Sequence, residues 1–270
     1  MISQAISPPN SGILHAQLPN KLYQRILTEL VDKKEEGTED YNAKLAGHLK
    51  EEFSIEDTEI RHGVRDFVNI LIREYYTVHG FSLPTPNEFT PFTPSMDLWF
   101  KTKDPRLDYD SLMSEGKDGF VRRWKQDSIW INYQNKHEFN PAHQHSGVFS
   151  IVIFVKIPFD ADDEDNVFPP HNTPQHELNN YFSGEEFNNQ RMLNLNGCFG
   201  INATTITGEI QTCNLHVDKT FEGSMLLFPA TLMHYVYPYY TSDEQRITIS
   251  ANYSIEKVHA KEFETTLKYE

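Results

Sequence analysis

Residues 246–253 read Arg-Ile-Thr-Ile-Ser-Ala-Asn-Tyr, and polar and apolar side chains alternate along the whole stretch. Side chains two positions apart in a β-strand point to the same face. One face of such a strand would carry Arg246, Thr248, Ser250 and Asn252. Taken alone, this pattern is most typical of a surface strand with its polar face in water. Inside a barrel the same face would line the interior, where a guanidinium group can bind a carboxylate.

Short segments rich in aromatic and β-branched residues recur upstream of this strand and are separated by turn residues. Strands are predicted at 96–102, 128–133, 147–157, 197–205, 210–217, 225–228, 234–239 and 246–253. Many short strands with this spacing favour a sandwich or a barrel. We therefore predict an α+β chain whose core is mainly β.

The first part of the chain has apolar residues at helical spacing. Helices are predicted at 22–31, 41–53 and 59–76. Asn20 is the predicted N-cap of the first helix. Four prolines between residues 80 and 94 then mark a connection. We predict a helical N-terminal region over residues 1–94, packed on a β core over residues 95–270.

The stretch at about 159–196 interrupts the strand pattern, because it is first acidic and then rich in Asn, Pro and Gly. An EF-hand is excluded, since Asp165 stands where such a loop needs Gly and His171 where it needs a bidentate Glu. A solvated acidic loop is the simpler interpretation of the charge run. Long segments of this kind often close over a site, so we predict a lid inserted in the core.

Composition and charge limit the class of protein and its partners. A chain of 270 residues with 38% hydrophobic side chains can form one large domain. The formal charge of −15 repels phosphate backbones and anionic lipid, so neither nucleic acid nor a membrane is an expected partner. Only Cys198 and Cys213 are present, which favours a reducing cytoplasm. No signal peptide or spanning segment is recognised, and both a monomer and a homo-oligomer remain open.

His143 and His145 are separated by one residue, so both imidazoles fall on one face of an extended segment. With 12 histidines in 270 residues, chance supplies roughly half of one such pair per chain, and two exposed histidines in a turn explain the pair equally well. The flanking predicted strands favour a metal-binding turn on a rigid scaffold. His234, on a different predicted strand, supplies a third imidazole.

A second His-x-Asp pair, His216 and Asp218, competes for the role of metal ligand. Asp218 precedes His234 by 16 residues (234 − 218), which leaves room for one intervening strand. We therefore rank this pair below His143 and His145.

Together these motifs resemble the 2-oxoglutarate/Fe(II) oxygenases, and within them the oxygenases of bacteria and tailed phages. The resemblance covers about residues 130–255. It lies in Trp-x-Asn at Trp130 and Asn132, His-x-His-Ser-Gly at 143–147, Phe-Pro-x-x-Leu-x-His at 228–234 and Arg-Ile-x-x-Ser-x-Asn at 246–252. It implies a double-stranded β-helix, or jelly roll, behind the N-terminal helices. It also implies Fe(II) as cofactor, with 2-oxoglutarate and O2 as co-substrates.

The resemblance implies that His143 and His234 are iron ligands and that Arg246 binds the distal carboxylate of 2-oxoglutarate. Further residues expected around this co-substrate are Thr248, Ser250, Asn132 and Asn252. The implied reaction hydroxylates a C–H bond of a peptidyl (for example prolyl) or small-molecule substrate, with release of succinate and CO2.

One departure from the family pattern concerns the metal ligands. The usual motif is His-x-Asp or His-x-Glu, and His145 stands here in the place of the carboxylate. His145 is therefore the predicted third ligand. Glu138 and Asp218 are the alternative carboxylates.

Two other functions compete with a 2-oxoglutarate-dependent hydroxylase. The first is a three-histidine iron dioxygenase that needs no keto acid, in which Arg246 would have only a structural role. The second is a jelly-roll binding or virion-associated module without chemistry. The presence of all three histidines and of Arg246 argues against such a loss of activity. A phage-encoded chain would act in the host cytoplasm.

Overall fold

The computed structural model of the protein describes residues 12–32, 49–78, 120–167, 195–204 and 208–259. Several predictions lie outside these residues: the helix at 41–48, the proline-rich connection, the strand at 96–102 and the insertion from 168 to 194.

Ten strands are formed by the described residues: β1 (Leu14–Gln17), β2 (Glu51–Ser54), β3 (Phe120–Gln134), β4 (Asn140–His143), β5 (Phe149–Lys156), β6 (Phe199–Thr204), β7 (Ile210–Leu215), β8 (Ser224–Pro229), β9 (Met233–Val236) and β10 (Arg246–His259). The helices are α1 (Asn20–Ile26), which continues as a π-helical turn (Leu27–Asp32), α2 (Thr58–Val78), α3 (Ala161–Val167) and a 3₁₀ turn (Lys219–Phe221). Seven of the eight predicted strands correspond to β3 and β5 to β10. None of the described helices is both long and apolar enough to cross a bilayer.

The strands form two antiparallel sheets. The major sheet has the order β1-β8-β5-β10-β3-β2 and the minor sheet the order β4-β9-β6-β7. From β3 to β10 the chain passes back and forth between the sheets, so four strands of each build an eight-stranded jelly roll. The predicted double-stranded β-helix is therefore confirmed. Strands β1 and β2 lengthen the major sheet at its two edges.

Strand β10 separates two hydrophobic cores. Its apolar face, with Ile249 and Tyr253 fully buried, packs in the core that also contains Val64 and Val68 of α2. Its polar face points into the space between the two sheets, beside a second core that includes Phe154 and residues of β6 and β8. The alternating residues 246–253 thus place apolar side chains in one core and polar side chains in the space between the sheets.

The N-terminal region differs from its prediction at the start of α1 and in the two strands, β1 and β2, that it contributes. Helix α1 begins at Asn20 itself, with Pro19 at the N-cap, so the predicted capping role of Asn20 is wrong. The helix predicted to reach residue 53 is also wrong at its end, because Glu51–Ser54 is strand β2. Strand β3 offers unpaired backbone groups at its edge, and β2 satisfies them by antiparallel pairing.

The acidic run after β5 is a helix and not the predicted solvated loop. Helix α3 directs Glu164 inward, where only 1% of its surface is exposed. The Glu164 carboxylate accepts hydrogen bonds from the backbone N–H of Tyr240 at 2.9 Å, and from the backbone N–H of Thr241 at 2.8 Å and its hydroxyl at 2.6 Å. These bonds compensate the burial of the charge and attach α3 to the loop before β10.

Replacing Glu164 by Gln is expected to lower the free energy of unfolding by about 1–3 kcal/mol, because an amide NH2 group would face donors that now point at a carboxylate. Urea unfolding followed by circular dichroism measures the change. Asp163→Asn, an exposed position on the same helix, is the matched control. Equal stability of the two variants would show that the Glu164 contacts do not hold the loop.

Candidate metal centre

Three histidines from neighbouring parts of the minor sheet converge on one point. His143 ends β4 and lies directly opposite His234 of β9, and His145 follows two residues later. One ring nitrogen from each of the three lies within 4.8 Å of the others. The ring centroids of His143 and His234 are 4.3 Å apart, and that of His145 is 4.9 and 5.0 Å from them. This arrangement is suited to a single metal ion.

Two of the rings are oriented by backbone carbonyl groups. Nδ1 of His143 lies 2.7 Å from the carbonyl oxygen of Pro141, and Nδ1 of His234 lies 2.9 Å from that of Leu232. A carbonyl oxygen can only accept, so Nδ1 carries the proton in both rings. The lone pair is then on Nε2, which is the usual arrangement of metal-binding histidines.

Burial keeps two of the imidazoles neutral. Desolvation, helped by the neighbouring histidines, lowers the pKa of His145 to about 3. Desolvation and the charge of His143 lower the pKa of His234 to about 4. Both rings therefore hold a free lone pair at neutral pH, as a metal ligand requires.

The histidine cluster lies in the wall of a cavity between the two sheets. The major sheet contributes the opposite wall through Asn132, Gln134, Arg246, Thr248 and Ser250. The Asn132 amide donates to the hydroxyl oxygen of Thr248 at 3.1 Å and to that of Ser250 at 3.3 Å. The side-chain oxygen of Asn132, Oδ1, is buried and has no hydrogen-bond partner among the described residues. The polar face of β10 therefore lines the interior.

Arg246 is a buried cation in this wall, with 3% of its surface exposed. Its Nη1 donates to the carbonyl oxygen of Gly197 at 2.8 Å, its Nε has no partner, and no described carboxylate forms an ion pair with it. Burial lowers the pKa of Arg246 to about 10, which leaves the side chain protonated at neutral pH. A guanidinium with a free donor in a cavity is suited to an anionic ligand.

Asn252 is the predicted co-substrate residue that the structure does not bring to the cavity. Its Oδ1 accepts a hydrogen bond from the Ser150 hydroxyl at 2.7 Å, and it is not among the residues that line the cavity. Asn252 thus connects β10 to β5 outside the cavity lining.

The alternative ligands also lie elsewhere. The Glu138 carboxylate accepts from the backbone N–H of Asn135 at 2.8 Å, and Asp218 caps the 3₁₀ turn that follows it. Nδ1 of His216 lies 3.5 Å from Sγ of Cys198. None of these side chains lines the cavity, so among the described residues the metal cluster consists of three imidazoles without a carboxylate.

Glu52 is a cavity residue that the sequence did not reveal. It lies on β2, is 2% exposed and lines the cavity together with Leu49 and Trp130. The segment was predicted to be helical, and a four-residue edge strand has too few positions to show a clear alternation.

Comparison with known proteins relates one segment of the chain to a family. Residues 128–252, which include the three histidines and Arg246, match the family model described as "Putative 2OG-Fe(II) oxygenase". This segment, just under half of the chain, is therefore similar to the 2-oxoglutarate/Fe(II) oxygenases, a family whose cofactor and co-substrates are Fe(II), 2-oxoglutarate and O2. The narrower resemblance to phage oxygenases stays a prediction. No curated protein sequence matches the chain.

Solved structures similar to this one include a Pseudomonas putida prolyl-4-hydroxylase, at 9% identity and a TM-score of 0.45, covering 90% of this chain and 92% of that one. HygX from Streptomyces hygroscopicus with nickel and 2-oxoglutarate bound has 8% identity and a TM-score of 0.40, with coverages of 90% and 83%. A 2OG-Fe(II) oxygenase family oxidoreductase from Burkholderia pseudomallei has 14% identity and a TM-score of 0.31, with coverages of 59% and 56%.

The metal-free protein is expected to lose stability as the pH falls below about 6.5, the ordinary pKa of histidine in an unfolded chain. Between this pH and the folded pKa values of about 3 for His145 and about 4 for His234, the unfolded chain takes up protons that the folded chain does not. Urea unfolding in EDTA between pH 5 and 7.5 measures this uptake from the slope of stability against pH.

His145→Asn is expected to reduce the uptake at pH 5.5 by about one proton. The slope of this variant is compared with that of His62→Asn, a substitution of an exposed histidine on α2. An unchanged slope in the His145 variant would contradict the inference that burial keeps this ring neutral.

Proposed function

We propose that the chain hydroxylates a C–H bond of a small-molecule or peptidyl substrate and releases succinate and CO2. The observation that carries the proposal is a single cavity with three imidazoles on one wall and the buried Arg246 guanidinium on the other. The cytoplasmic location and the absence of nucleic-acid and membrane partners stay predictions, and a monomer and a homo-oligomer both stay open.

In this proposal His143, His145 and His234 hold Fe(II), and Arg246 binds the distal carboxylate of 2-oxoglutarate. The bound iron, with 2-oxoglutarate and O2, supplies the oxidising chemistry of the family. The protein contributes the orientation of these groups. The two backbone carbonyls at Pro141 and Leu232 keep Nε2 of their histidines aimed at the ion.

The electrostatics of the site favour a dianionic co-substrate. Three neutral ligands leave the charge of Fe(II) undiminished, one unit more positive than in a site with two histidines and a carboxylate. Arg246 adds a further positive charge in a wall that excludes water. The two carboxylates of 2-oxoglutarate would offset two of these three positive charges.

Apolar rings around the histidines restrict the motion of the imidazoles and the access of water to them. The Phe199 ring stacks on His234 with centroids 5.7 Å apart, and the Phe228 ring lies 5.0 Å from the same imidazole. Both phenylalanines line the cavity with Phe154. A dry, rigid site of this kind protects a reactive centre from side reactions with solvent.

The three-imidazole cluster also supports a second candidate, an iron dioxygenase that uses no keto acid. This candidate gives no role to the guanidinium, whose free Nε and lack of an ion pair among the described residues are suited to a carboxylate ligand. We therefore favour the 2-oxoglutarate-dependent reaction.

Anaerobic titration of the protein with Fe(II) and then 2-oxoglutarate is expected to produce the weak visible charge-transfer band of a keto acid chelated to iron. Arg246→Ala should weaken 2-oxoglutarate binding by roughly 30-fold or more, because a charge-assisted bidentate contact is lost. Arg246→Lys keeps the positive charge but loses the planar guanidinium. Its affinity for 2-oxoglutarate should therefore lie between that of the unmodified protein and that of Arg246→Ala.

The control for this titration is Arg61→Ala, which removes a surface guanidinium on α2. Iron binding without a band in the unmodified protein would favour the keto-acid-independent dioxygenase. A protein that binds no iron would instead be the non-catalytic module.

His145→Ala is expected to weaken Fe(II) binding by at least about tenfold, because one of three ligands is removed. His145→Asp restores the two-histidine, one-carboxylate ligand set and should retain Fe(II). Competition with a chromogenic chelator measures both affinities. An unchanged affinity in His145→Ala would show that His145 is not a ligand.

A further inference from the structure

The side-chain amide of Asn132 is bound to two residues of strand β10. Asn132 of β3 lies directly opposite Thr248, and Ser250 is the next residue on the same face of β10. All three side chains line the cavity, and only 5% of the Asn132 surface is exposed. Directly opposite and diagonal neighbours on paired strands are close enough to interact. The amide therefore bridges two successive cavity-facing residues of β10.

A backbone contact fixes the orientation of this amide. Nδ2 of Asn132 lies 3.4 Å from the backbone carbonyl oxygen of Thr248, and a carbonyl oxygen can only accept a hydrogen bond. The opposite orientation would bring Oδ1, which is itself an acceptor, against this oxygen. The NH2 end of the amide therefore faces β10, and Oδ1 is the end that is buried without a partner among the described residues.

The orientation of the amide makes acceptors of two hydroxyl groups. The NH2 group donates to Oγ1 of Thr248 at 3.1 Å and to Oγ of Ser250 at 3.3 Å. A hydroxyl that accepts in this way keeps its own proton for another acceptor. Within the part of the chain that the structure describes, neither hydroxyl donates to a protein group. Both protons are therefore available to a ligand in the cavity.

Asn132 itself is not suited to bind a carboxylate. Its two N–H bonds are already directed at β10, and its Oδ1 would repel a second acceptor. The hydroxyls of Thr248 and Ser250, in contrast, lie on the face of β10 that carries Arg246. Neutral O–H donors on the same face as a guanidinium group enlarge the set of donors that an anion meets there.

We propose that Asn132 is a positioning residue that acts through Thr248 and Ser250, because it leaves their hydroxyl protons free to bind the distal carboxylate of 2-oxoglutarate. This inference rests on the proposed function and assigns the donors of its co-substrate site. A hydroxyl that an N–H group already holds does not have to be reoriented when the anion binds, and it is a stronger donor because linked hydrogen bonds polarise one another. Loss of the amide therefore weakens co-substrate binding although the amide does not touch the co-substrate.

The test measures the 2-oxoglutarate affinity of the full chain loaded with Fe(II) under anaerobic conditions. Asn132→Leu keeps the size of the side chain and removes the NH2 group, so the affinity should fall about three- to tenfold. Asn132→Asp keeps the shape but turns both hydroxyls toward the introduced carboxylate, so the affinity should fall further. A role in packing alone would give the reverse order. The matched control is Asn214→Leu, which should keep the affinity of the unmodified protein, because Asn214 binds the hydroxyl of Tyr235 outside the cavity lining.

A double-mutant cycle distinguishes positioning from a direct contact with the co-substrate. Thr248→Val together with Ser250→Ala removes both hydroxyls and should lower the affinity about tenfold or more. In that background Asn132→Leu should cause no further loss, because the groups through which Asn132 acts are absent. An equal loss from Asn132→Leu in both backgrounds would overturn the proposal, as would an unchanged affinity in Asn132→Leu or in the variant without hydroxyls. Failure of the unmodified protein to bind 2-oxoglutarate appears before any variant is compared and would contradict the proposed function itself.

Discussion

The register of strand β10 is the constraint on which the rest of the molecule depends. This strand is paired on both sides, with β3 and with β5, and it has a hydrophobic core against one face and the cavity against the other. A shift of one residue would exchange the faces, burying Arg246 against α2 and exposing Ile249 to the cavity. The hydrophobic burial that stabilises the fold therefore also orients the guanidinium. Stability and site geometry depend on the same alternation.

Burial has opposite consequences for the charges on the two walls of the cavity. Desolvation lowers the pKa of His145 and His234 far enough to make both neutral at physiological pH, whereas the pKa of Arg246 starts so high that the same effect leaves it charged. One wall thus offers lone pairs to a metal and the other offers donors to an anion. Both chemical characters follow from the same exclusion of water.

The sequence predicted those features that depend on neighbouring residues in the chain. The alternation in 246–253 predicted which side chains share a face with Arg246, and the family resemblance of the motifs predicted that His143, His145 and His234 lie together. Prediction failed where conformation depends on distant partners. Strand β2 exists because β3 has an open edge, so Glu52 was assigned to a helix, and Glu164 is buried only because backbone donors about 76 residues away converge on it. Asn252, which the resemblance placed near the co-substrate, shares a face with Arg246 but lies farther along β10, where its Oδ1 accepts from the Ser150 hydroxyl.

The three-imidazole cluster couples the binding of Fe(II) to the binding of 2-oxoglutarate in the proposed function. Without a carboxylate among the described ligands, bound Fe(II) keeps both of its charges, and the attraction between the ion and a dianionic keto acid is larger than in the usual ligand set. Binding of either partner then raises the affinity for the other by the same factor, because the coupling free energy is shared. In the proposed function, Arg246 at the opposite wall would bind the distal carboxylate and so leave the keto-acid end of the dianion for the metal. In the proposed function, bound Fe(II) and Arg246 thus attract the same dianion from opposite walls of the cavity.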